Sequence, residues 1–315
     1  MQRNSIGLYD FSSSVVAVPP VAWTDDLQLA AAANRALVEH IEAGGVRILL
    51  YGGNANLYHF DLGRFDALLD LLPGITAPDT WVIPSIGPDF GKALDEAAIL
   101  RRLGFADAMM LPTAFPARPA GIEKGLRLVA DALGAPLVLY LKKDAYLAPD
   151  QIASLVRDGA VKFVKYAVER NEPAEDRYLD DVIAAIGIEH VASGMGETPI
   201  HDHLVKRRLT TYTSGGVCIA PAAAMRILAS YKAGDIAGAE AIREPLLAFE
   251  RTRAAIDGFA VLHDGVTLSG IADMGPILPL CANLAPADRE KVRPVIEALV
   301  QLEAECRAES RAAAE

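Results

Sequence analysis

Two lysines stand three positions apart in the short run Val161-Lys162-Phe163-Val164-Lys165-Tyr166-Ala167. Read as a strand, the run alternates its side chains, so Val161, Phe163 and Lys165 share one face and Lys162, Val164 and Tyr166 the other. If the first face looks into a core, Lys165 stands above an apolar floor. An ordinary lysine has a pKa near ~10.4 and is well under ~1% neutral at pH 7. Desolvation disfavours the ammonium and can lower that value by several units, which frees the amine to attack a carbonyl. A second run, Pro136-Leu137-Val138-Leu139-Tyr140, ends in a tyrosine on the face of Val138. Its phenol could shuttle protons during carbinolamine formation and bond cleavage. Spacing alone leaves a plainer alternative open, an interior tyrosine and a lysine snorkelling to a rim.

Other segments offer weaker chemistry. The turn Tyr51-Gly52-Gly53-Asn54-Ala55-Asn56 would expose backbone N–H groups able to hold a carboxylate, and Thr213-Ser214-Gly215-Gly216 makes a similar small-residue platform. Either also reads as a plain tight turn. His201-Asp202-His203 has metal-ligating side chains, but no further carboxylate cluster accompanies it, and a solvent-facing helix start is the expectation. Cys218, Cys281 and Cys306 are odd in number, far apart and without CxxC spacing, so neither a disulfide framework nor a zinc site is expected. No metal or organic cofactor is implied.

The elements that must position these residues repeat in type. Eight apolar, strand-sized runs occur at Val15–Val18, Val46–Gly53, Trp81–Gly87, Ala108–Pro112, Pro136–Leu141, Val161–Val168, His190–Ser193 and Thr210–Val217. Stretches such as Asp25–Ala43 and Gly91–Leu103 place apolar residues at helical spacing between them. Eight alternating strand and helix units predict an α/β chain with a parallel sheet closed as a (β/α)8 TIM barrel. A doubly wound dinucleotide fold would want a Gly-rich first turn, and Leu8–Trp23 has no GxGxxG. After the eighth run the pattern turns helical over Ala222–Gly234, Ile236–Asp257 and Asp288–Ala314, with Pro245 able to kink the second. This predicts a barrel over residues 1–235 and a C-terminal helical appendage over 236–315. Its alanine- and charge-rich tail Arg307–Glu315 is expected to fray.

Composition narrows the partners. Hydrophobic residues are 52% of the chain and aromatics only 6%, so a large core must be built from Ala, Leu, Ile and Val. A formal charge of −11 argues against a nucleic-acid partner, and Lys206-Arg207-Arg208 reads as a solvated face. The apolar runs are too short to span a bilayer, and Met1–Phe11 carries no secretory pattern. The expectation is a cytoplasmic protein with a small-molecule substrate and no membrane partner.

Together these segments resemble the family of dihydrodipicolinate synthase and N-acetylneuraminate lyase along most of the chain. Gly52-Gly53-Asn54 sits where that family grips a substrate carboxylate. Leu137–Tyr140 is similar to the strand ending in its proton-relaying tyrosine, and Phe163–Ala167 to the strand bearing its Schiff-base lysine. Ser193-Gly194 and Thr213-Ser214-Gly215 resemble the strand ends lining its pocket. The resemblance implies Lys165 as Schiff-base nucleophile, Tyr140 as proton relay, and Gly52, Gly53, Asn54, Ser193, Gly194, Thr213, Ser214 and Gly215 as substrate contacts. It also implies a homo-oligomer, dimer or tetramer, acting on a 2-oxo acid or deoxy sugar acid. Departures separate the chain from the synthase proper: Asn56 stands where an acid would be, Pro112-Thr113-Ala114-Phe115 lacks a second relay tyrosine, and Leu141–Ala145 lacks an arginine. The segments Thr211–Pro221 and Gly52-Gly53 are closer to the 5-dehydro-4-deoxyglucarate dehydratase branch. An aldolase or dehydratase is therefore expected. The alternatives are the synthase itself, or a lapsed barrel that only binds a keto acid.

Overall fold

A computed structural model describes residues 1–312. Eight short strands lie inside the eight predicted runs: β1 Val16–Ala17, β2 Ile48–Tyr51, β3 Trp81–Ile86, β4 Ala108–Met110, β5 Leu137–Leu141, β6 Val161–Tyr166, β7 Val191–Ser193 and β8 Thr213–Ser214. They form one sheet in the order β7-β6-β5-β4-β3-β2-β1-β8, with helices between successive strands, the (β/α)8 barrel class. β8 is much shorter than its predicted run because the chain turns into a single 3-10 turn at Gly216–Cys218. β2 and β5 are buried along their whole length. Covered on both faces, such strands read as continuous apolar runs rather than alternating ones.

The chain divides into two compact units. One comprises Gln2–Ser13 with Trp81–Thr213 and carries β3 to β7. There β4 pairs in parallel with β5, β5 with β6, and β6 with β7. A short helix, Leu8–Ser13, supplies Phe11, whose ring stacks on Phe163 at 3.9 Å between centroids. The preceding residues are tied down by charge. Lys162 Nζ donates to Ser5 Oγ at 2.7 Å and to the Ile6 carbonyl, while Asp107 accepts from Ser5 Oγ at 2.6 Å and Ile6 N–H at 2.9 Å.

The other unit comprises Met1, Ser14–Thr80 and the chain from Ser214. β1 pairs in parallel with β2, and helices follow at Pro221–Ala233, Ile236–Ala255, Gly258–Leu268 and Pro286–Ala312. Buried Glu303 accepts from the N–H groups of Ala222 and Ala223 at 2.9 and 3.2 Å. This puts a carboxylate on the positive end of the Pro221–Ala233 helix. Buried Asp264 gathers Asn283 Nδ2, Leu284 N–H and Arg289 Nε. Pro245 lies within its helix. The helix Gly258–Leu268 was not predicted: every residue from Ala260 to Val266 is buried, so it lacks the polar face that makes helical spacing visible. The terminal helix runs to Ala312, and residues 313–315 of the tail expected to fray lie outside the described residues.

Candidate active site

β5 and β6 set Tyr140 directly opposite Lys165 in register. Both are buried, at 8% and 5% exposure. Lys165 Nζ lies 4.4 Å from the centroid of the Tyr140 ring. The face of such a ring attracts positive charge. On the other side Lys165 stands opposite Ala192 of β7. Gly194 N–H donates to the Tyr166 carbonyl at 2.6 Å. A Cβ at Gly194 would fall 2.6 Å from that oxygen and 2.9 Å from Lys165 Cγ, so glycine is required beside the lysine stem.

Ser193 is paired in register with Tyr166, one residue beyond Lys165 and therefore on the opposite strand face. Its hydroxyl, fully buried, lies 2.8 Å from His203 Nδ1. The expectation of a solvent-facing helix start at His201–His203 is corrected here. These residues begin a π-helical segment, His201–Lys206, and His203 is buried against Ser193 and the Tyr166 ring. Burial first, then the Arg207 charge, lowers its pKa to about 4. Arg207 is likewise no solvated residue: its side chain is 9% exposed and donates to Asp180 and to the carbonyls of Pro173 and Ala174. Asp202 pairs with Lys206. Among the described residues no three His, Cys, Asp or Glu side chains converge as a metal site. Thr213 is buried, and its carbonyl accepts from Gly196 N–H at 3.2 Å.

Lys165, Tyr140, Ser193, Gly194 and Thr213 thus belong to one compact unit, and Gly52, Gly53, Asn54, Ser214 and Gly215 to the other. In the second, Gly53–Ala55 forms a 3-10 turn, followed by Asn56 in the left-handed region at φ 57°. Asn54 is engaged at both ends of its amide: Nδ2 donates to the Val18 carbonyl at 3.1 Å, and Oδ1 accepts from Arg253 Nη2 at 3.3 Å. Ser214 Oγ accepts from Val217 N–H at 3.0 Å. Arg253 was invisible to sequence reasoning, one charged residue among many on a helix. Its guanidinium donates to the Gly258 carbonyl and Glu250, and a Cβ at Gly215 would fall 2.8 Å from Nη1. A largely buried ion pair, Arg253 with Glu250, therefore backs both small-residue turns. The one sequence signal was the spacing of Glu250 and Arg253, three apart on one helix face.

In the loop after β5, Lys142 and Lys143 are exposed, and Ala145 adopts φ 54°. Tyr146, also overlooked, is buried there with its hydroxyl accepting from Thr113 N–H at 3.2 Å, and burial raises its pKa. Phe115, by contrast, is 88% exposed.

No family model matches the chain. Two curated proteins are 23% identical to it. The Rhizobium rhizogenes "Probable 5-dehydro-4-deoxyglucarate dehydratase" aligns over 90% of this chain and 95% of its own. The 4-hydroxy-tetrahydrodipicolinate synthase of Corynebacterium diphtheriae aligns over 90% and 92%. Among solved structures, the Oceanobacillus iheyensis dihydrodipicolinate synthase superposes with a TM-score of 0.80 at 19% identity, covering 93% of this chain and 99% of that one. The Ruminococcus gnavus sialic acid aldolase gives 0.78 at 13%, covering 95% and 99%. These relatives and neighbours are members of the dihydrodipicolinate synthase and sialic acid aldolase family; at such identities the solved structures speak to fold alone.

Proposed function

We propose that this chain is a lyase of the dihydrodipicolinate synthase and N-acetylneuraminate lyase family, acting on a 2-oxo acid or deoxy sugar acid through a Schiff base on Lys165. The observation that carries the reading is the approach of Lys165 Nζ to the Tyr140 ring, 4.4 Å from its centroid. Lys165 would attack the C2 carbonyl and, after loss of water, hold the substrate as an iminium that acts as an electron sink. Tyr140 would carry protons to and from the carbinolamine and the departing group. Ser193, Gly194 and Thr213, in the same unit as Lys165, would hold the carboxylate and hydroxyls. With Ser193 Oγ already beside His203, Ser193 would contribute through its backbone groups. No metal or organic cofactor enters this chemistry. The substrate is a small molecule, and the assembly a homo-oligomer.

The loop after β5 weighs against the synthase reaction and leaves aldol cleavage or dehydration. Synthase chemistry condenses pyruvate with an aldehyde bearing its own carboxylate, which needs a paired cation in the pocket. Lys142 and Lys143 are exposed, Lys143 with its Nζ 5.9 Å from the Tyr146 ring centroid. Neither has the forked geometry of an arginine. The test is a product assay across hydroxylated 2-oxo acids and deoxy sugar acids, beside pyruvate with aspartate semialdehyde. Turnover with the hydroxylated acids is expected. Synthase turnover near ~10 s⁻¹ would overturn the preference.

A further inference from the structure

Beyond their last ladder bonds the loops after β5 and β6 are joined by one guanidinium. β5 ends one residue past Tyr140 and β6 one residue past Lys165, and the closing backbone bond runs from Ala167 N–H to the Leu141 carbonyl at 2.8 Å. Asp144 lies three residues beyond β5, and Arg170 four beyond β6. Arg170 Nη1 donates to Asp144 Oδ2 at 2.6 Å, and Nη2 donates to Asp144 Oδ1, a two-pronged contact. Nη2 also reaches Asp176 Oδ1 at 2.9 Å and the Tyr166 hydroxyl at 3.2 Å. That hydroxyl is 2.8 Å from both Asp176 oxygens, and Asp176 accepts from Leu179 N–H at the start of the helix Arg177–Ile186.

The parts of this network differ in kind. Asp176 is fully buried and caps a helix, so it belongs to the fold. Asp144 is 58% exposed, and an exposed ion pair contributes little to stability. Its forked geometry nonetheless fixes the relative position of what it joins, here the loops that follow the lysine and the tyrosine.

We propose that Asp144 and Arg170 are a positioning pair, which holds the ends of β5 and β6 together and so sets the approach of the Tyr140 phenol to a substrate bound at Lys165. The pair touches no reacting atom, and the proposal rests on the functional reading above. Imine formation also moves protons at the carbinolamine, but solvent can supply these, and borohydride traps the imine once it has formed. Removal of a proton from C3 of the iminium, giving the enamine, and its return need an acid–base group in register, where displacement by about 1 Å costs up to ~10²-fold.

The test uses pyruvate with the wild-type chain, Asp144→Ala and Asp144→Glu. Borohydride trapping reads imine formation, deuterium exchange into the pyruvate methyl group reads proton transfer, and thermal melting reads stability. For Asp144→Ala the expected result is exchange slowed ~10-fold or more, with trapping and melting unchanged; Asp144→Glu restores most of the exchange. Wild-type exchange in Asp144→Ala, with trapping intact, would overturn the positioning role alone. So would a parallel fall in trapping, exchange and melting temperature, the mark of a merely structural contact. A wild-type chain that neither traps nor exchanges would overturn the functional reading itself, and this role with it.

Discussion

The two lysines of β6 have the same chemistry and opposite fates. Lys162, at the start of the strand, is held by Ser5 and the Ile6 carbonyl and fastens the N-terminal residues to the barrel beside Asp107. Lys165, three residues on, faces the ring of Tyr140 across the register pair with β5. Alternation along the strand puts them on different faces, and strand direction puts them at different ends. In a parallel barrel the amino ends of the strands serve stability and the carboxyl ends carry chemistry. One strand here has a residue suited to each task.

The contrast breaks most sharply at Lys165. Lys165→Ala should reduce turnover to background while leaving melting nearly unchanged; residual turnover at the wild-type level would move the nucleophile elsewhere. Next comes Tyr140→Phe, which keeps the ring beneath Nζ and removes the transferable proton. Turnover measured at saturating substrate should fall by about 10²-fold with trapping retained, whereas equal turnover would assign the proton to water or another group.

The outward face of β7 should behave like the anchored end of β6. His203 has a pKa lowered to about 4, so its neutral form stabilises the fold above its unfolded value of ~6.5. That contribution should disappear as the pH falls from there through about 4. Denaturant melts of His203→Gln should show a shallower loss of stability over this window than the wild type, by up to about 3 kcal/mol. A parallel pH profile would show that His203 is not the group responsible. The smallest effect belongs to Lys162→Met, which loses hydrogen bonds from a charged group. Destabilisation of about 1–3 kcal/mol is expected in urea melts, with trapping by pyruvate unaltered. Lost trapping in a folded Lys162→Met would erase the distinction between the two lysines.

The sequence carried the barrel clearly because every strand is a compact apolar run and every run recurs with a helix behind it. The adjacency of Tyr140 and Lys165 was legible for the same reason: consecutive strands are neighbours, and alternation fixes which side chains share a face. What escaped depends on contacts distant in the chain or on missing contrast. Nothing near Ser5 or Ile6 announces that Asp107 and Lys162 bind them from about a hundred residues or more away. Arg253 is one charge on a charged helix until the fold lays it against Gly215 and Asn54. The polar stretch around His203 suggests a solvent-facing helix start, yet His203 is buried beside Ser193. The helix Gly258–Leu268 is buried from Ala260 to Val266, His263 and Asp264 included, and leaves no periodic trace.

The central claim is that one lysine of β6 is the reactive one. Incubation with pyruvate and borohydride, followed by peptide mapping by mass spectrometry, tests it most directly. The account predicts a single reduced adduct on Lys165, retained in Lys162→Ala and absent from Lys165→Ala. An adduct on Lys162, or one that survives Lys165→Ala, would contradict it.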